Sequence, residues 1–512
     1  MKKHGLLLLG ILALAGWMTG CQQDRVPLNT EPDLRTYQPV EYRLCPAPEG
    51  GWVGDVMPFA EGDRLELYYL YDTDHNGQSA HPIHRFATQD LSRYQDEGLV
   101  LPCGAFGQPD LNIGTGSILK GADGLYHCFY TGNNPTMGAL GQGKECVMHA
   151  VSPDKQTWTK IPEDTFYAED GYSRDDFRDP QVFWNPQEQC YWMLLAAREE
   201  TLGGVVVKYT SEDLSDWTFC GPLYAPQTHY MLECPDLFEM GGRYYLVYSW
   251  DCVTYYAVAD QPNGPFSAPE DNVLDGQNFA FYAAKTVLFR GQRYLCGWVG
   301  RNPRQQDSGE YDWAGNLLIH QLVQKPDGSL GVCAPEGVLK TFGRELPLQA
   351  RRTEGDTALK EGVYHLDGTG DAPAVVDFGM REPSFLLECD LTLEGEGSAG
   401  FAFGLADQPC SQYAGLALDA ARDCLRYEGT ALAELAEREP ANSTRLVLEP
   451  GRTYHIRLVA ENEILLLYVE DTKVLSCRSF RSVDGARMGI FAAGTRASFA
   501  NLRLSAPDGA GQ

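Results

Sequence analysis

The sequence predicts an all-β chain, a five-bladed β-propeller followed by a jelly-roll-like β-sandwich, on three observations. Helix-period segments are scarce beyond the N-terminus, while aromatic-rich runs alternate with Gly and Pro punctuation. Five aromatic runs, residues 65–71, 125–130, 190–196, 243–249 and 293–299, recur at roughly fifty residues per unit, as the middle strands of four-stranded blades would. Four of them are followed, one hairpin later, by a polar turn closed by an aromatic residue: Thr88-Gln89-Asp90 before Tyr94, Ser152-Pro153-Asp154 before Trp158, Ser211-Glu212-Asp213 before Trp217, and Ala259-Asp260 before Phe266.

Residues 1–20 have the form of a secretory signal. Lys2, Lys3 and His4 precede an apolar run, and Met18-Thr19-Gly20-Cys21 closes it as a lipobox would, with Met18 where Leu is commoner. Lipidation at Cys21 would anchor the mature chain to the bacterial cell envelope, periplasmic or surface-exposed, since no later stretch reaches the ~20 apolar residues that cross a bilayer. A plain secretory signal with a chance cysteine is the alternative. Residues 21–44, polar and Pro-containing, suit a tether. The five blades fit within 45–338. A charged connection around 344–362 opens the sandwich, 345–507, in which 385–393, 400–405, 454–460, 464–469 and 488–493 alternate or run apolar, and Glu461-Asn462-Glu463 marks a tight hairpin.

At 512 residues and 43% hydrophobic composition, the chain holds more than one ordinary core. Its 41 basic residues less Lys2 and Lys3 leave 39 against 70 acidic ones, a mature net charge of −31. That balance disfavours nucleic acid and anionic lipid surfaces and suits a neutral ligand such as a sugar. Fourteen of the 15 cysteines follow Cys21, most of them inside apolar runs. Their irregular spacing gives no disulfide framework, and the lack of a Cys-x-x-Cys pair argues against structural zinc, so neither metal nor cofactor is expected.

Three acidic motifs carry the chemistry: Trp52-Val53-Gly54-Asp55, Phe177-Arg178-Asp179-Pro180 and Glu233-Cys234-Pro235-Asp236. Each puts a carboxylate at or near the start of a strand in blades one, three and four, and the inner strands of a propeller converge on one channel. Carboxylates so gathered supply the nucleophile and the acid of a glycoside-cleaving site. Singly, each would read as a cap on a turn at a strand end.

On these motifs, in this order, the chain resembles glycoside hydrolase family 32, the invertase, levanase and inulinase family. Weaker matches are Gly114-Thr115-Gly116-Ser117, Phe281-Tyr282-Ala283-Ala284-Lys285 and Trp313-Ala314-Gly315. The resemblance covers nearly all of the mature chain and implies a propeller joined to a sandwich. It also implies a retaining β-fructosidase-like enzyme that cleaves terminal fructosyl or related residues from oligo- or polysaccharides through a covalent glycosyl-enzyme. By position, Asp55 would be the nucleophile, Glu233 the acid and then the base, and Asp179 the group that holds sugar hydroxyls in the transition state. Trp52, Arg178, Ser117, Tyr282 and Trp313 would bind substrate. Such a mechanism needs nucleophile and acid about 5 to 5.5 Å apart.

The nucleophile segment departs from the family's Trp-Met-Asn-Asp-Pro-Asn-Gly. Gly54 replaces the Asn, Val56-Met57-Pro58 replaces Pro-Asn-Gly, and the strand that usually ends Phe-Tyr-Gln-Tyr reads Tyr68-Tyr69-Leu70-Tyr71. An amide is lost on each side of Asp55, and sugar sites specify chiefly through such bonds. Two readings therefore stand beside fructoside hydrolysis: a non-catalytic glycan-binding surface lipoprotein, and an inverting arabinan- or xylan-type propeller glycosidase with its acids about 6.5 Å or more apart.

Other apparent motifs fail. Asp72 to Gly77 mimics an EF-hand loop, but position twelve is Ile83 and no helices flank it. Gly138 to Lys144 nearly spells a phosphate loop, yet Glu145 stands where Ser or Thr is needed. His81 and His84 lack further ligands and suit a rim. Tyr69, Tyr71, Tyr282 and Trp298 are aromatic candidates for the sugar site, with blade packing expected for at least half of them.

Overall fold

The computed structural model describes residues 25–33, 35–73, 80–307, 311–405, 413–429, 440–483 and 486–508. The signal segment, Cys21 and residues 74–79 of the EF-hand-like segment lie outside these. Among the described residues, no helix is long and apolar enough to cross a membrane.

The chain is a five-bladed propeller followed by a β-sandwich. Blade one contains Trp52–Glu61, Arg64–Asp72, Ile83–Thr88 and Gln95–Leu101. Blade two contains Asn112–Lys120, Tyr126–Asn133, Glu145–Ser152 and Thr159–Lys160, and blade three Tyr172–Asn185, Cys190–Glu199, Gly203–Ser211 and Thr218–Tyr224. Blade four contains Glu233–Met240, Arg243–Trp250 and Val253–Ala259, its last strand bridged further by Ser267 and Val273. Blade five contains Tyr282–Phe289, Gln292–Arg301, Asp312–Gln324 and Leu330–Cys333.

The repeated turn has a common physical basis. In blades one to three, Thr88, Ser152 and Ser211 each accept backbone N–H bonds from residues two and three ahead, and Asp90, Asp154 and Asp213 do the same. These local bonds stabilise the left-handed residues Leu91, Lys155 and Leu214, which non-glycine residues adopt only with such support.

A second repeat positions the site. The first strand of every blade breaks register at one level: between Val53 and Val56, Gly114 and Gly116, Arg178 and Gln181, Glu233 and Asp236, and Tyr282 and Lys285. Each is a bulge, an extra residue that bends the strand and re-aims side chains. Asp179, Cys234 and Ala283 sit in these bulges at positive φ. Val56 and Met57, which depart from the family pattern, are fully buried, Val56 in the core between blades five and one and Met57 in that between blades one and two.

The sandwich packs a sheet centred on Ser384–Leu393, Thr453–Glu461 and Arg496–Ala506 against one centred on Ser398–Phe403, Ala414–Asp419 and Arg487–Ala493. The two sheets enclose an apolar core of Phe385, Leu387, Phe401, Leu416, Leu458 and Phe499, among others. The charged connection contributes edge strands, Arg344–Leu346 and Asp356–Lys360 to one sheet and Arg352–Glu354 to the other. Propeller and sandwich share a buried interface where Leu318 and Leu322 meet Leu466 and Val474. There His320 bridges Asp275 and Tyr468, at 3.1 and 2.9 Å.

The tether is corrected. Of the expected tether, residues 25–33 and 35–44 are described and lie along the sandwich: Val26 joins its core, and Asn29 N–H donates to Ala350. The predicted Glu461-Asn462-Glu463 hairpin holds the segment. Asn462 exchanges two bonds with the Val40 backbone, Tyr42 donates to Glu463, and the Glu461 carboxylate accepts the N–H groups of Arg43, Leu44 and Cys45. Composition suggested a free linker because its polar residues satisfy this hairpin rather than solvent.

Candidate active site

The five bulges open onto one pocket of about 440 Å³ at the channel, which Asp55, Asp179 and Glu233 all line. Asp55 is held from two sides: the Thr115 hydroxyl donates to Oδ2 at 2.9 Å and Trp298 Nε1 to Oδ1 at 3.2 Å. Thr115 is fixed in turn, its carbonyl accepting from the Thr131 hydroxyl at 2.9 Å, and that hydroxyl accepts from Asp179 N–H at 2.8 Å. Cys234 closes the circuit. Its N–H donates to Asp179 Oδ2 at 2.9 Å, and its Sγ lies 3.7 Å from that oxygen and 3.9 Å from Asp55 Oδ2.

Glu233 has a different setting. Arg178 donates to its Oε1 at 3.0 Å and the Tyr282 hydroxyl to its Oε2 at 2.5 Å. Arg178 also pairs with the buried Glu145 at 2.9 Å, whose other oxygen accepts from Asn133. Burial pushes Asp55 above the ordinary carboxylate range; the Thr115 bond opposes the rise and the Glu233 charge adds to it. Asp179 is pushed up to about 7 by burial, with Arg178 pulling down and the Asp55 and Glu233 charges pushing up. Asp236 stands apart from the pocket, tying Gln181 of blade three to Thr286 of blade five.

Of the residues expected to bind substrate, Arg178, Tyr282 and Trp313 line the pocket, while Trp52 and Ser117 do not. Trp52 precedes the bulge of blade one and packs under Arg301, 6.0 Å from ring centre to guanidinium carbon. Ser117 lies past the bulge of blade two and accepts Val182 N–H at 2.8 Å, a contact between blades. In an unbroken strand Ser117 and Thr115 would share a face; the extra residue separates them, and Thr115 takes the site position. Trp298 stands behind Asp55, and Tyr69 and Tyr71 serve packing, stacked on Phe86 and His84.

The missing amides have structural replacements. A Cβ on Gly54 would lie 2.3 Å from Trp313 Cη2, so the indole occupies the space a side chain would take. Leu70 lines the pocket beside it, and His81, also on the lining, packs against Trp313 with ring centres 4.7 Å apart. The lining from blades five and one is thus rich in apolar and aromatic groups, while blades two and three contribute Asn133, Glu145 and Arg178.

The model of the glycosyl hydrolases family 32 N-terminal domain matches residues 47–330, more than half of the chain. The chain belongs to glycosyl hydrolase family 32. Among curated family 32 relatives, the sucrose-6-phosphate hydrolase of Vibrio alginolyticus is 27% identical over 304 residues, 52% of this chain and 58% of that enzyme. The levanbiose-producing levanase of Geobacillus stearothermophilus is 26% identical over 278 residues, 51% of this chain and 60% of that enzyme. The chain therefore matches less than two thirds of the length of these relatives. Among solved structures, fructan 1-exohydrolase IIa from Cichorium intybus superposes with a TM-score of 0.70 at 14% identity, covering 92% of this chain and 98% of that one. The Lactobacillus gasseri sucrose-6-phosphate hydrolase gives 0.68 at 18% identity, covering 90% and 91%. These superpositions extend the shared fold through the sandwich.

Sequence motifs did not reveal Thr115, Thr131 or Glu145 as site residues, and His81, expected at a rim, lines the pocket. Thr131 and Glu145 come from second and third strands, where their types are ordinary; the loose match around Thr115 was the one available signal.

Proposed function

We propose that the chain is a retaining glycosidase that releases terminal fructosyl residues from an oligo- or polysaccharide. The convergence of Asp55, Asp179 and Glu233 from three blades on one pocket supports this reading most directly. In it, Asp55 attacks the anomeric carbon, and the bonds from Thr115 and Trp298 favour its charged form despite burial. Glu233, oriented by Arg178 and Tyr282, gives its proton to the leaving oxygen and later takes one from water. Asp179, anchored by Cys234 N–H, faces the sugar hydroxyls. The family relatives act on fructosides by name, which places fructose first among candidate sugars.

The lipobox-like segment supports attachment to the cell envelope through a lipid on Cys21. The test of function is incubation of the mature protein with sucrose, inulin, levan and arabinan, with released monosaccharides identified and their first-formed anomer read by NMR. Fructose in retained configuration is expected. Inversion would sink the covalent mechanism. Binding to levan or inulin without product would favour a glycan-binding protein.

A further inference from the structure

Blade four carries an aromatic surface that begins at the active site and runs outward from it. Trp250 and Asp251 line the catalytic pocket. Tyr230, 52% exposed, packs against Trp250 with ring centres 5.6 Å apart. The preceding residue, His229, lies 5.2 Å from Tyr255, which stacks on Tyr248 at 5.7 Å. His229, Tyr248 and Tyr255 line a second cavity of about 650 Å³ between blades three and four, walled also by Tyr224 and Phe266 and, among the described residues, lined by no Asp, Glu, Lys or Arg side chain.

Strand register places this cavity relative to the chemistry. Glu233 pairs with Ser249, and Ser249 with Thr254, the neighbour of Tyr255. Strands lie about 4.8 Å apart, so Tyr255 stands roughly 10 Å outward from the Glu233 row. Glu233 protonates the leaving oxygen in the function proposed above, so whatever is attached to that oxygen leaves the pocket on the blade-four side. Arg198 stands 5.0 Å over the Tyr230 ring at the link to the pocket, whereas the cavity's own aromatic faces carry no charge and suit uncharged, flat-faced sugar rings.

We propose that this groove binds the leaving-group side of a neutral polysaccharide, so that the substrate is a polymer held over several sugar units rather than a disaccharide. This inference rests on the assignment of Glu233, but binding tests it without turnover. In an Asp55→Asn background, affinity electrophoresis in levan and inulin gels is expected to show retardation that Tyr255→Ala weakens about tenfold. His229→Ala, in the loop ahead of the first strand of blade four, is expected to do the same in part and guards against misfolding of the first variant. With Asp55 intact, both substitutions should lower kcat/KM on polymer about tenfold relative to sucrose. Undiminished retardation in both variants, or equal losses on polymer and disaccharide, would overturn the groove. If no substrate is turned over but the variants still lose retardation, the groove stands and the hydrolase reading fails.

Discussion

Thr115 donates its hydroxyl to Asp55 Oδ2 at 2.9 Å, across from the strand that carries the proposed nucleophile. The bond stabilises the charged carboxylate in a pocket where burial disfavours it. A hydrogen bond to a charged group is worth roughly 1.5–3 kcal/mol, so Thr115→Val should lower kcat by about 10- to 100-fold. Losing the donor raises the Asp55 pKa further, which moves the acidic limb of the kcat/KM profile to higher pH. Thr115→Ser should restore both. A Val variant with an unmoved acidic limb would show that the hydroxyl merely packs.

Gly54 and Trp313 form the other pair that defines the pocket. With a Cβ at Gly54 only 2.3 Å from the indole, Gly54→Ala should cost about 1–3 kcal/mol by overpacking and displace Trp313. Combining it with Trp313→Leu should recover much of that loss, a non-additivity expected for residues in contact. Thermal melts of the two single variants and the double variant measure it. Strict additivity would mean that Trp313 swings aside at no cost.

Much of this architecture was legible because propeller blades repeat. The Ser-x-Asp turns and aromatic strands recur with enough regularity to count the blades, and Arg178-Asp179-Pro180 and Glu233-Cys234-Pro235-Asp236 fall on bulges that give them recognisable short motifs. The errors have the same origin. The resemblance nominated whole segments, and within them a bulge decides which residue faces the pocket: Thr115 lines it while Ser117 bonds Val182 across blades, and Trp52, ahead of the blade-one bulge, packs under Arg301. Contacts between blades, such as Glu145 with Arg178, pair residues 33 positions apart and leave no local trace. The segment before the propeller misled for a third reason: its partner is a hairpin more than 400 residues away.

Asp179 should tie stability to pH. Its folded pKa of about 7 lies above the ordinary carboxylate value of 3.8, so the native state holds a proton that the unfolded chain releases. The stabilisation this confers is complete below about pH 4 and is lost as pH rises towards and through 7. Asp179→Asn keeps the shape and removes the charge. It should therefore match the wild type in stability near pH 4 and exceed it near pH 8, by up to roughly 4 kcal/mol, read as a higher melting temperature at pH 8, while activity is lost. Equal melting temperatures at pH 8 would show that Arg178 fully compensates the buried charge.

The Glu461 carboxylate makes a different kind of prediction, about how the N-terminal segment is held. It accepts N–H bonds from Arg43, Leu44 and Cys45, and the last two residues are buried. Glu461→Ala leaves these donors facing apolar surroundings, at about 1–3 kcal/mol for each buried group, and the cheapest relief is for the segment to detach. Limited proteolysis should then cut within residues 25–44 in the variant and spare the wild type. Glu461→Gln, which retains one acceptor oxygen, should be cut more slowly than the alanine variant. Val26 at the far end joins the sandwich core, while Leu44 and Cys45 join the core shared with the propeller, so release should begin ahead of Leu44 and leave Asp55 in place. Loss of the whole fold in Glu461→Ala would instead mean that the hairpin, the segment and blade five unfold as one unit.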